Sequence, residues 1–405
     1  MYLERPEQPP AGLKSLRADF TTTNFAAGVV GFVFAASGPL AVILTVGTQG
    51  NLGEQQIASW VFGAFFLNGL LSIAMSLVYR QPLVFFWTIP GTVLVGPALT
   101  HVSFPEVVGA FLVTGLLMLA LALSGFVRRS MQAIPMPIVM GMVAGVFLQF
   151  GLDWVRAFSV DLRIALPMTL AFLALMRLPK IAAVVPPLIG ALVVGILAVL
   201  WTGTLAPVAT NGAIIAAPQL VTPVFSWQAI AELVLPLAIT VLVVQNGQGI
   251  AVLTASGHRP PMNSIAAACG IGSMISACVG TASTCLTGPV SAILAGSGQR
   301  ETQYAGAICV GLLALTFGLF APIFTRLMLA APPVFIATLA GLAMLKVLQT
   351  AFTIAFQGRC GFGTLVTFLI TVTGISIFSI GAPFWGILFG YIVSRLLEPD
   401  DFKTA

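Results

Sequence analysis

Three side-chain amides fall within four residues at Gln245, Asn246 and Gln248, inside the run Gln245-Asn246-Gly247-Gln248-Gly249 that interrupts a long apolar stretch. Amides are costly in hydrocarbon unless they face a partner or a water-filled cavity. Gln245 and Gln248 share one helical face at i,i+3 spacing if the helix persists there. Two readings follow: the amides line a cavity and hydrogen-bond a ligand, or they tie helices together. Ser37-Gly38-Pro39 interrupts the first apolar run in a corresponding place.

Two further segments carry Thr and Pro in a common pattern: Thr88-Ile-Pro90-Gly91-Thr92 and Thr287-Gly288-Pro289-Val290-Ser291. Proline suits the first turn of a helix, where its missing N–H would be unpaired in any case. Each segment reads as a short extended stretch followed by a half-helix that starts near Pro90 or Pro289. A helix that begins in the middle of a membrane aims free N–H groups and the positive end of its dipole at the centre. That arrangement suits an anion such as a carboxylate. The competing reading is a pair of proline-kinked helices with no site. The extended stretches must satisfy their own backbone, and pairing across the two segments would do so, because lipid-exposed irregular backbone is not tolerated.

Other chemistries find no support. The 12 acidic residues fall in tails, loops or near span ends, so no midplane acid, base and nucleophile can be assembled into an active site. Glu232, Glu106 and Asp153 all look peripheral. The 5 cysteines and the 2 histidines, His101 and His258, show no metal-ligand spacing. No cofactor, metal or disulfide is expected.

The elements that hold these residues follow from composition. Hydrophobic residues make up 58% and charged residues 7%, against roughly 25% charged in soluble chains. Mean hydropathy is +1.05. The chain reads as an all-α membrane protein filling nearly its whole length. A net charge of +5 comes from single, scattered basic residues rather than a basic stripe, which argues against nucleic acid. A helix crosses the bilayer with ~20 apolar residues. Full-length candidates run over 24–47, 55–78, 105–126, 135–151, 161–178, 181–201, 228–253, 263–280, 302–325, 332–350, 361–380 and 383–397. The two interrupted stretches, 82–100 and 282–297, bring the total to fourteen. The first run is too long for a signal h-region and is expected to stay as a span.

Charge tests this count. With the N-terminus inside and every segment crossing, only Arg156, Arg163 and Arg326 of the 17 Lys and Arg fall outside, as the positive-inside rule requires. Dropping one interrupted segment inverts every later charge. Lys346, near the end of the twelfth segment, reads as an interface lysine that snorkels.

The halves also repeat. One offset relates Pro137 to Pro333, Ala144-Gly145 to Ala340-Gly341, Gly115-Leu116-Leu117 to Gly311-Leu312-Leu313, and Pro187…Gly190 to Pro383…Gly386. Gly109-Ala110 and Gly306-Ala307 match one residue further on. Seven spans per half is odd, so the second half must sit inverted, the arrangement of alternating-access transporters. The expected organisation is a cytoplasmic tail (1–23), a first repeat (24–201), an extracytoplasmic linker (202–227), a second repeat (228–397) and a cytoplasmic tail (398–405), in a bacterial inner membrane.

The runs VGTASTCLTGPVSAILAGSG (Val279–Gly298), NGQG (246–249) and PLVFFWTIPG (Pro82–Gly91) resemble the bacterial benzoate/proton symporter family, BenE-like. The resemblance covers essentially the full chain. It implies kinship in fold with nucleobase transporters and sulfate permeases, and fourteen segments in a seven-plus-seven inverted repeat. Segments 1–4 and 8–11 would form a core domain, segments 5–7 and 12–14 a gate domain, and a gate-domain homodimer is implied by analogy. Substrate would sit between the half-helices of segments 3 and 10, which places Thr287 and Gly288 beside it. The nucleobase transporters carry acidic residues where this chain has Pro289 and Gln245/Asn246. Their loss favours an anion over a nucleobase.

The resulting expectation is a benzoate-like carboxylate near Gly91, Thr92, Gly288 and Ser291. Gln245, Asn246 and Gln248 would supply amide contacts, Ser37, Gly38 and Thr88 would flank it, and its ring would pack on Phe85, Phe86 or Trp87. Importing one anion against an inside-negative potential costs ~2.3 kcal/mol per 100 mV, so a co-transported proton is expected. Its carrier is left open, and the substrate carboxyl is one candidate. Another small anion such as sulfate is the alternative substrate.

Overall fold

The computed structural model describes residues 3–36, 38–127, 134–178, 181, 185–207, 212–375, 377 and 381–402. In chain order the first half holds α1 (Leu13–Asp19), α2 (Thr22–Ala36), α3 (Gly38–Gln49), α4 (Glu54–Phe62), α5 (Asn68–Tyr79), β1 (Phe85–Trp87), α6 (Ile89–Ala98), α7 (Phe104–Ser124), α8 (Met136–Val160), α9 (Leu162–Arg177) and α10 (Pro187–Thr202). The second half holds α11 (Trp227–Ile239), α12 (Gly247–Ala255), α13 (Met262–Ala277), β2 (Thr284–Leu286), α14 (Gly288–Ala295), α15 (Gln303–Leu319), α16 (Ala321–Leu329), α17 (Pro333–Phe356), α18 (Gly361–Thr373) and α19 (Ala382–Leu397). A π-helical turn, Gly63–Leu67, joins α4 to α5, and another, Thr240–Asn246, joins α11 to α12.

By length and composition, 7 helical stretches can cross a membrane among the described residues: Thr22–Gln49, Glu54–Tyr79, Phe104–Ser124, Met136–Val160, Trp227–Ala255, Arg300–Leu319 and Pro333–Phe356. Shorter apolar helices account for the remaining hydrophobic runs. Proline occupies the first two positions of α6, α8, α10, α14, α17 and α19, where it costs no hydrogen bond. Several boundaries differ from the sequence reading, and the twelfth run extends to Phe356. The fifth run continues to Val160, because Asp153 and Arg156 pair at 3.0 Å on its exposed face. The eleventh breaks at Phe320, one residue before α16. The thirteenth stops at Thr373, where Gly374 takes a left-handed φ of 64° that ends the helix.

The helices pack as two bundles. In the first, α7 lies on α13 and α11, α15 lies on α2 and α5, and both strands are enclosed. In the second, α8 packs on α17 and α18, α9 on α10, and α18 on α19. Glycine allows the close approaches in the second bundle: a side chain at Gly141 would meet the Thr364 carbonyl at 2.8 Å, and one at Gly145 would meet Thr371 at 2.8 Å. Small residues are the usual means of helix association where no water is available to drive it. Between bundles, α3 meets α17, α6 meets α8 and α11 meets α19, whereas α12 and α14 pack chiefly on each other and on first-bundle neighbours. The seam is thus tighter on the side of α3, α6 and α11.

In the middle of the first bundle the two strands pair antiparallel, Phe85 with Leu286, Phe86 with Cys285 and Trp87 with Thr284. The pairing extends by Thr88 N–H to the Ser283 carbonyl (2.8 Å) and Thr287 N–H to the Val84 carbonyl (2.9 Å). A two-stranded sheet has two open edges, and here no water reaches them. Side chains close them instead. Ser72 Oγ accepts the Phe85 N–H (2.8 Å) and Ser76 Oγ donates to the Leu83 carbonyl (3.0 Å). On the other edge, Ser273 Oγ accepts the Thr284 N–H (2.9 Å) and Asn246 Oδ1 the Leu286 N–H (2.8 Å).

Ser72→Ala leaves the Phe85 N–H buried without an acceptor, a defect worth about 1–3 kcal/mol. Thermal unfolding in detergent should show a clear loss of stability for this variant. Ser124→Ala, at an exposed helix end, should leave the midpoint nearly unchanged.

Candidate functional site

The strand register fixes where the half-helices begin. Thr88 is opposite Ser283 and Thr287 is opposite Val84, so α6 and α14 start at opposite ends of the pair, four residues apart. At ~3.4 Å per residue that is about 14 Å along the strands. One small carboxylate cannot touch both helix ends directly.

The two ends are also unlike. At α6, Thr88 Oγ1 accepts the Gly91 N–H (3.1 Å) and donates to Thr240 Oγ1 (3.4 Å), while Thr92 Oγ1 donates to the Thr88 carbonyl (2.9 Å). Thr88 and Thr92 are fully buried. A side chain at Gly91 would press on Thr88 and on Leu237. The α6 terminus is therefore capped and covered by its own chain. At α14, Thr287 makes no side-chain cap. Thr287 and Pro289 are half-buried rather than enclosed. Ser291, in the first turn, is fully buried, and its Oγ has no hydrogen-bond partner. Gln248 lies alongside: a side chain at Gly288 would meet Gln248 Cγ at 2.6 Å and Oε1 at 2.9 Å. Gln248 is exposed, as are Ala251 on the same helix and Ala292 on α14.

The structure therefore gathers four of the sequence-predicted residues, Gln248, Thr287, Gly288 and Ser291, around one uncapped helix N-terminus with an open side. Gln245 is half-buried at the end of the π-turn, three residues before Gln248. Asn246 is bound elsewhere: it holds the β2 edge and contacts Cys269 Sγ at 3.4 Å. Thr88, Gly91 and Thr92 form the closed α6 end. Gly38 opens α3, and Ser37 lies outside the described residues.

The aromatic residues of β1 are buried in the core. Phe86 meets Phe65 edge-to-face at a ring distance of 5.5 Å and Trp87 meets it tilted at 5.0 Å, and Phe85 packs among Met118, Leu83 and Leu286. Lys346 sits ten residues before the end of α17 rather than near it, exposed, with Nζ on Gln349 Oε1 at 3.0 Å. Sequence reasoning placed Glu232 at the periphery, but its side chain is only 4% exposed and pairs with His101 at 2.9 Å. Counting residues along one helix gave no sign of that partner. Among the described residues no group of acidic, His or Cys side chains could hold a metal.

Chemically, the α14 end offers unpaired backbone donors, a free hydroxyl and a carboxamide, with no acidic side chain among them. That is a set of donors for an anion.

Comparison with known proteins identifies relatives of the whole chain. The family profile described as benzoate membrane transport protein matches residues 18–396. The Acinetobacter baylyi benzoate membrane transport protein is 28% identical over 95% of this chain and 98% of its own. The inner membrane protein YdcO of Escherichia coli is 28% identical over 92% of this chain and 95% of its own. Among solved structures, the transmembrane domain of the cyanobacterial bicarbonate transporter BicA superposes with a TM-score of 0.62 at 16% identity, over 97% of this chain and 98% of its own. SLC26A9 superposes at 0.67 with 15% identity, over 96% of this chain and 67% of its own. At those identities the structural likeness establishes the fold alone; the profile match over nearly the whole chain establishes kinship, and this protein belongs to the benzoate membrane transport protein family.

Proposed function

We propose that this chain imports benzoate, or a closely similar aromatic carboxylate, together with a proton by alternating access. The observation that carries the reading is the α14 N-terminus: uncapped, flanked by Gln248, and holding the unpartnered hydroxyl of Ser291. The substrate carboxylate accepts hydrogen bonds from the Gly288 end of α14, from Ser291 and from Gln248. Buried polar groups are ordinarily paired, and the carboxylate supplies the acceptor that Ser291 lacks.

In this reading the first bundle is the core and the second the gate. The fourteen segments form two inverted sets of seven, with both tails cytoplasmic. The seam is packed along α3, α6 and α11, and the Gln248 side is exposed, so the conformation is inward-facing. Alternating access then requires the core to move along the gate, carrying α14 from one side to the other. A proton accompanies the anion because electroneutral import avoids the ~2.3 kcal/mol per 100 mV that a lone anion costs.

A second reading keeps the site and changes the ligand. The BicA transmembrane domain, of similar fold, belongs to a bicarbonate transporter, and a small inorganic anion also fits helix N–H donors. Competition separates the two.

In proteoliposomes with an alkaline interior, labelled benzoate should accumulate saturably above protein-free liposomes, a control needed because neutral benzoic acid crosses lipid unaided. Substituted benzoates should compete, while sulfate and bicarbonate should not. Uptake equal to the empty liposomes, with an inorganic anion accumulating instead, overturns the benzoate assignment.

Ser291→Ala should weaken benzoate binding by roughly ten- to a hundredfold, the loss of a hydrogen bond to a charged group at about 1.5–3 kcal/mol. Gly288→Val drives a branched side chain into Gln248 and should abolish uptake with little change in thermal stability. Thr92→Ser, at the closed α6 end, should leave the apparent KM within about twofold.

A further inference from the structure

Among the described residues, a histidine–glutamate pair with a buried carboxylate lies at the seam between the bundles. His101 follows the C-terminal end of α6, and Glu232 sits in the second turn of α11. His101 Nε2 lies 2.9 Å from Glu232 Oε2, and the Glu232 side chain is 4% exposed against 30% for His101. The other imidazole nitrogen lies 3.2 Å from Thr100 Oγ1. Both residues belong to the first bundle. The Glu232 carboxylate also reaches the second: a side chain at Gly381, the residue before α19, would collide with Glu232 Oε1, so the carboxylate lies directly against the Gly381 backbone. Ala382, the first residue of α19, is 2% exposed. The carboxylate is thus a link across the seam at the end where the bundles are in contact.

Few other charges act on it. From α7, Glu106 is held by the Ser103 hydroxyl and N–H at 2.6 and 2.9 Å. On α8, Asp153 pairs with Arg156 at 3.0 Å, and in the following loop Asp161 pairs with Arg163 at 3.0 Å. Neither α6 nor the Thr240–Asn246 turn carries a titratable side chain, and α19 carries none before Tyr391.

We propose that His101 and Glu232 form a proton-binding site that latches the outer end of the seam. The proposal rests on the alternating-access reading but not on the identity of the substrate. A carboxylate withdrawn from water is costly unless a cation or proton accompanies it. In the closed seam the pair holds one proton between imidazole and carboxylate, and the carboxylate is packed against Gly381. When the seam opens, both groups meet water, each is solvated separately, and the shared proton is released. Closing therefore takes up one proton. By linkage, acid favours the closed seam, and that advantage is lost as pH rises. The latch gives external pH control over the outer gate, separate from the charge balance of import.

The test needs no substrate. Ala382→Cys is placed in a full-length, otherwise cysteine-free protein and reconstituted into liposomes. Labelling by a membrane-impermeant maleimide is followed from pH 5.5 to 8 and normalised to Val160→Cys, which is 73% exposed in the native side chain. Normalised labelling should rise with pH, by no more than about tenfold per pH unit, the limit for one proton. His101→Asn and Glu232→Gln should each flatten the profile. Gel filtration of both variants identifies any that misfold, and Glu232→Asp, which keeps the charge, should retain a pH response. A flat profile in the unmodified pair, or an unchanged profile in both folded variants, overturns the latch. Because no benzoate is present, failure of the substrate assignment would leave this result intact.

Discussion

The pairing of β1 with β2 is the constraint on which the rest of the molecule depends. A chain that stops being helical in an apolar interior leaves backbone donors and acceptors that no solvent can satisfy. Here two such interruptions satisfy each other, from the Val84–Thr287 contact to the Thr88–Ser283 contact. Their outward groups are taken by Ser72, Ser76, Ser273 and Asn246. Only because this cost is met can α6 and α14 begin deep within the protein, where a helix end is a useful charge.

The π-turns serve the same arrangement. A π-turn displaces the backbone ladder and is common at functional places in helices. After the first, Asn68 donates to the Gly63 and Ala64 carbonyls at 3.3 and 3.2 Å and accepts from Thr284 Oγ1 at 2.7 Å. The second ends at Asn246, which holds Leu286. Each turn thus delivers one asparagine to β2 or its immediate side chains. The amide motif in the sequence divides accordingly: Asn246 holds the strand, while Gln248 is left beside the open end of α14.

Much of this was legible in the sequence because it follows from residue chemistry. Pro90 and Pro289 marked half-helix starts, and the need to satisfy extended backbone pointed to pairing between the segments. The difference between the two helix ends was not legible. Thr88 and Thr287 occupy equivalent places, and only the neighbour Thr240 and the covering Leu237 show why one end is closed. The aromatic run Phe85-Phe86-Trp87 suggested a ring pocket, yet Phe85 is buried in one part of the core and Phe86 and Trp87 in another. Glu232 looked remote because distance along α11 was the only ruler available. Its partner His101 lies 131 residues earlier in the chain, a separation no local pattern reports.

The central claim is that the uncapped α14 terminus recognises a carboxylate by its charge. Calorimetric titration of the purified protein with benzoate and with benzamide, nearly identical in shape but neutral, tests it most directly. The account predicts saturable binding of benzoate at a pH where it is ionised, with benzamide bound at least tenfold more weakly. Equal affinity for the two ligands would contradict it, because a site built from helix N–H donors and the Ser291 hydroxyl should distinguish an anion from an amide.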